Sequence, residues 1–235
     1  MGILGRDASL FLPSRQTGRR DLDIMLQDFN LTTIIARVIV LLIAFTIHEL
    51  SHALTADYLG DPTPRHMGRI TLNPLKHLDP IGTIMLIVAG FGWAKPVMVN
   101  PLNLRGNPRT SMAIVAVAGP LSNVILALLA AIIFRLGLVE FTPNPPSGGA
   151  SLIGYLMTQF IWINLILAFF NLIPIPPLDG SKILFAILPA DLVYRLRPLE
   201  QFGFLILMAL IFIFPTAIDL LVGAPAGATL SFLIF

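Results

Sequence analysis

The sequence predicts an all-α polytopic membrane protein, with about four spanning helices plus a re-entrant hairpin segment. Two observations carry that expectation. Of 235 residues, 56% are hydrophobic and only 12% charged, and the mean hydropathy is +0.84; a soluble domain of this size needs more polar surface. Apolar runs long enough to cross a bilayer also recur along the chain. Residues 1–30 read as a polar N-terminal tail, 31–222 as one membrane-embedded domain and 223–235 as a C-terminal tail.

In the tail, Arg6, Arg15, Arg19 and Arg20 balance Asp7, Asp21, Asp23 and Asp28. Its apolar run is too short and too interrupted for a signal peptide. The first span is expected over 31–58, ended by Gly60, Asp61, Pro62 and Pro64. Residues 80–99 are apolar but short, rich in Val and Ile, and broken by Gly82, Gly90, Gly92 and Pro96. Periodicity alone leaves helical and re-entrant readings open there. Further spans are expected over 111–137 and 151–173. Pro174, Pro176 and Pro177 then forbid a continuous helix. A short helix can restart at Ser181, and a last apolar segment covers about 201–222, kinked at Pro215.

The net charge of +2 is too small to suggest a nucleic-acid partner. With no cysteine there is neither a disulfide framework nor a thiolate nucleophile. Any metal site must use histidines and carboxylates.

"FTIHELSHAL" puts such residues inside the first span. His48 and His52, four apart on a helix, lie within about 40° of each other and one turn apart. Both imidazoles can reach one metal ion. Glu49 is about 100° away, near enough to reach a water on that metal without ligating it. In this His-Glu-x-x-His arrangement the glutamate is a general base. A chance match is the bland alternative, and the cost of ionisable groups inside a membrane segment argues against it.

A catalytic zinc wants a third protein ligand. Asp179 in "PPLDG" is the candidate, and it suits an N-cap before Ser181 as well. For Asp179 to meet the histidines, the C-terminal ends of 31–58 and 151–173 must lie on one side. An even number of crossings then separates them, so 80–99 dips in and returns. Arg65, Arg69, Lys76, Lys95, Arg105, Arg109, Lys182, Arg195 and Arg197 fall on that side. The opposite loop, 138–150, has no Lys or Arg, which makes the site side cytoplasmic; a layout in which 80–99 also spans, with the tail inside, suits the charge rule as well but separates Asp179 from the histidines. Asn123 in "AGPLSN" reads either as helix–helix glue or as a group aimed at a substrate carbonyl.

"HELSH", "AGPLSN" and "FNLIPIPPLDG", in this order within apolar segments, resemble the site-2 protease family of intramembrane zinc metalloproteases. "LNPLKHLDPIGTIML" and "GWAKPVMVNP" are similar to its compact bacterial branch. The resemblance implies one zinc per chain on His48, His52 and Asp179, with Glu49 catalytic and Asn123 assisting substrate or transition state. It matches Asn171 to a family asparagine near the aspartate motif. It implies a transmembrane protein or peptide as substrate, a bilayer as surroundings and a bacterial inner membrane as location. The 80–99 region resembles a re-entrant hairpin that pairs with extended substrate. A metal-binding transporter or sensor without hydrolysis is the rival reading, and it has no use for a non-ligating Glu49.

Overall fold

The computed structural model describes residues 31–89, 92–143 and 152–235. The polar tail expected over 1–30 lies outside them. Helix α1 (Leu31–Tyr58) has 28 residues, about 42 Å at 1.5 Å per residue. The hydroxyls of Thr46 and Ser51 donate to the carbonyls of Leu42 and Ile47, at 2.6 and 2.7 Å. Both hydroxyls therefore enter an apolar helix with their donors satisfied.

An irregular stretch follows: α2 (Thr63–His66), a tight turn at Pro74–Lys76 and α3 (Pro80–Ala89). Two buried ions organise it. Asp61 accepts from the Thr63 backbone and hydroxyl, the Asn100 backbone and the Asn103 amide, at 2.6–3.1 Å. Burial pushes its carboxyl up, but these four hydrogen bonds outweigh burial and hold it below the ordinary range. Arg69 donates to the carbonyls of Lys76, Lys95 and Pro96, at 2.6, 3.2 and 3.2 Å.

Helix α3 has ten residues, about 15 Å, half the thickness of a bilayer core. Leu78 and Ala94 form an antiparallel bridge, and the Lys95 N–H donates to His77 O at 2.8 Å. The two ends of the segment therefore meet, and it does not cross the bundle. It goes out as helix and returns as extended chain. Trp93 stacks edge-on against Phe204, with ring centroids 5.7 Å apart.

Asn107 caps α4 (Pro108–Arg135) by accepting from the Arg109 N–H, with Pro108 in the first turn. Then come α5 (Leu152–Asn171), α6 (Asp179–Ile187) and α7 (Ala190–Leu196). A tight turn at Arg197–Phe202 leads into α8 (Gly203–Ile213). The chain ends with α9 (Pro215–Ile218), a wide turn at Asp219–Gly223 and α10 (Ala224–Ile234). Helix α4 is the hub, packing against α1, α5 and α6. Buried alanines Ala44, Ala53, Ala116 and Ala127 let these backbones approach.

Among the described residues five helical stretches are long and apolar enough to span a membrane: 37–58, 108–135, 152–171, 190–213 and 215–234. This exceeds the expected four at the C-terminal end. Pro215 opens a new helix there instead of kinking one. The stretch read as a tail, 223–235, is mostly α10. Its Ala226 and Leu233 pack with Ala131, Phe134 and Ile161, and Arg135 donates to the Leu233 and Phe232 carbonyls at its C-terminus.

Candidate active site

His48 and Glu49 share one turn of α1 and His52 lies on the next, all three buried. Asp179 is the first residue of α6. The 174–178 turn, with a cis Pro176–Pro177 bond, carries it back beneath the end of α5. Gly180 makes that turn fit, because a Cβ there would strike the carbonyl oxygens of Leu172 and Ile173. His48 Nε2 lies 3.2 Å and His52 Nε2 3.0 Å from Asp179 Oδ2, and the two Nε2 atoms are 3.0 Å apart.

The hydrogen bonds behind the rings set their polarity. His52 Nδ1 lies 2.7 Å from the Val115 carbonyl, which can only accept, so that nitrogen carries the proton. His48 Nδ1 lies 2.7 Å from Asn123 Oδ1 and is the donor there too. In neutral rings both Nε2 atoms then present lone pairs, and they face each other and Asp179 Oδ2. Among the described residues that oxygen is buried with no hydrogen-bond donor. Three acceptors converge with no donor between them, an arrangement that a cation neutralises.

The donor set fits zinc. Tetrahedral ligands at about 2.0–2.1 Å stand roughly 3.3 Å apart, close to the separations seen. His48, His52 and Asp179 form a group able to hold a metal ion. Gly119 keeps the space open, since a Cβ there would collide with Nε2 of both histidines. Lys182 reaches the other carboxylate oxygen, Asp179 Oδ1, at 3.2 Å.

Glu49 stands beside this group and outside it. Its Oε2 accepts from the Val97 N–H at 3.0 Å. Asn123 is fully buried, with both ends of its amide engaged: Oδ1 on His48, and Nδ2 on Asn164 Oδ1 at 2.8 Å and the Ala44 carbonyl at 3.4 Å. A group aimed at a substrate carbonyl needs a spare donor, and in this geometry Asn123 has given its donors to α5 and α1. Asn171 bonds one turn back to Leu167 O and takes no part. Buried His77, bonded to Thr71 O, stays outside the group.

Two features are not visible as motifs. Val97 contributes a backbone donor, on which its side chain has no bearing. Asn164 carries the same signal as Asn123, an amide in an apolar run.

The profile of peptidase family M50 matches residues 36–144 and 137–214, which together contain every residue of this site. YwhC of Bacillus subtilis, provisionally named a zinc metalloprotease, is 43% identical over 180 residues, covering 74% of this chain and 78% of that protein. Rip2 of Mycolicibacterium smegmatis, named in the same terms, is 33% identical over 177 residues, covering 72% of this chain and 64% of that protein. MJ0611 of Methanocaldococcus jannaschii, likewise so named, is 31% identical over 160 residues, covering 67% and 73%. No solved structure matches the chain.

Proposed function

The chain belongs to peptidase family M50, the site-2 protease family, and from that premise we propose that it is an intramembrane zinc metalloprotease. It hydrolyses peptide bonds in or near transmembrane segments of membrane proteins. One observation carries the reading: three acceptor atoms from α1 and α6 converge in the bundle, with the Glu49 carboxylate beside them and not among them.

His48 Nε2, His52 Nε2 and Asp179 Oδ2 would hold the zinc. When bound, zinc would supply a Lewis acid and lower the pKa of a water to about 7. Glu49 takes the proton from the attacking water and returns it to the leaving amine. The Val97 N–H holds Glu49 Oε2, which leaves Oε1 for the proton. Asn123 serves from behind His48.

A transmembrane helix keeps its carbonyls in its own hydrogen bonds, so a substrate must unwind before attack. The extended chain that follows α3 runs past Glu49 at Val97, and adding the substrate to it as a strand would hold the scissile bond there. The Lys and Arg residues within 60–110 and 174–200 favour a site that opens toward the cytoplasm.

Glu49→Gln tests the reading against a metal carrier or sensor. With the purified protein and a transmembrane substrate in liposomes, the variant is expected to retain its zinc and lose cleavage by about 10²–10⁴-fold. Cleavage at the wild-type rate would refute the proposed role.

A further inference from the structure

Asn164 lies inside α5, fully buried, within the run "IWINLIL". Its Nδ2 donates to the Phe160 carbonyl and its Oδ1 accepts from Asn123 Nδ2, both at 2.8 Å. Asn123 Oδ1 in turn accepts from His48 Nδ1 at 2.7 Å. The chain of bonds thus runs from the backbone of α5, through α4, to one histidine of α1.

Its polarity is forced at every link. A backbone carbonyl only accepts, so Asn164 must turn its nitrogen to Phe160 and its oxygen to Asn123. Asn123 must answer with its nitrogen, which turns its oxygen to His48. An amide oxygen cannot donate, so the proton of His48 sits on Nδ1. The lone pair is left on Nε2, facing His52 and Asp179. His52 receives the same instruction directly from the Val115 carbonyl.

We infer that Asn164 is a positioning residue: acting through Asn123, it sets the tautomer and ring orientation of His48. The two histidines are thereby held by different means, one by backbone and one by a side-chain relay across three helices. A partner behind a metal-binding histidine raises its basicity and fixes its orientation, and its loss typically lowers metal affinity 10–100-fold. The inference rests on the metal reading of His48, which His48→Ala tests separately.

The experiment measures zinc affinity of the purified protein by competition with a chelator. Asn164→Leu is expected to bind zinc about 10–100-fold more weakly. Asn164→Asp is expected to stay close to wild type, because a carboxyl that is protonated in this apolar setting keeps one donor and one acceptor in the same places. Thr158→Val, which removes a different buried hydroxyl of α5 bonded to Gly154 O, is expected to lower thermal stability and leave zinc affinity unchanged. Nitrogen-15 NMR of the imidazoles in the zinc-loaded wild type gives a readout independent of any variant, with His48 expected to carry its proton on Nδ1.

Wild-type affinity in Asn164→Leu, equal losses in Asn164→Leu and Thr158→Val, or an Nε2–H form of His48 would each overturn the relay. Zinc retained in His48→Ala would instead overturn the metal reading.

Discussion

The helical centre and the loop lattice beside it solve opposite problems. In α1, α4 and α5 the backbone is satisfied within each helix, so what passes between helices goes mainly through side chains: His48 to Asn123 to Asn164, and His48 and His52 to Asp179. Between Leu59 and Asn107 the backbone is irregular and its polar groups need partners. Side-chain ions supply them, as buried Asp61 gathers the N–H groups of Thr63 and Asn100, and buried Arg69 the carbonyls of Lys76, Lys95 and Pro96. The regions join where the Glu49 side chain takes the Val97 N–H. Under the proposed function, a metal site needs fixed side chains and a strand that pairs with substrate needs fixed backbone, and each region fixes one of the two.

Gly119→Ala should break the first region most sharply. Its methyl would occupy the space of both Nε2 atoms. Overpacking of this kind costs about 1–3 kcal/mol, and zinc affinity is expected to fall by up to about 100-fold. Titration of the purified variant with zinc measures it, and unchanged affinity would mean that the rings do not meet at this point.

Asp61→Asn should sharpen the contrast by damaging only the second region. The amide brings its own N–H groups into a ring of donors. The expected loss is about 1.5–3 kcal/mol of stability, with slower cleavage and full zinc content. The carboxyl of Asp61 is depressed in the folded state. Its stabilisation is therefore complete above the ordinary carboxylate range and fades as pH falls through the depressed value. Melting curves at a series of pH values should show a flatter acid side in the variant. Zinc loss in Asp61→Asn would show that the two regions are not separable.

This contrast also explains what the sequence made legible. His48, Glu49 and His52 are readable because helix geometry converts spacing into direction. Asp179 is readable because a third ligand is needed, cysteine is absent and Asp179 sits beside apolar residues at a proline-broken span end. Asn164 escapes because no fixed spacing ties it to Asn123, although an amide in an apolar run is itself a signal. The Val97 contact is illegible because any residue but proline offers the same N–H. Helix α10 is hidden for another reason. "VGAPAGATLSFLIF" contains glycine and proline, and its helical state depends on packing against α4 and α5.

The central claim is that residues from two distant parts of the chain share one metal ion. Metal analysis of the purified wild type beside His48→Ala and Asp179→Ala tests it most directly. The account predicts one zinc per wild-type chain and loss of most of it in both variants. Full zinc retained in both, or a wild type that binds none when offered it, would contradict the account.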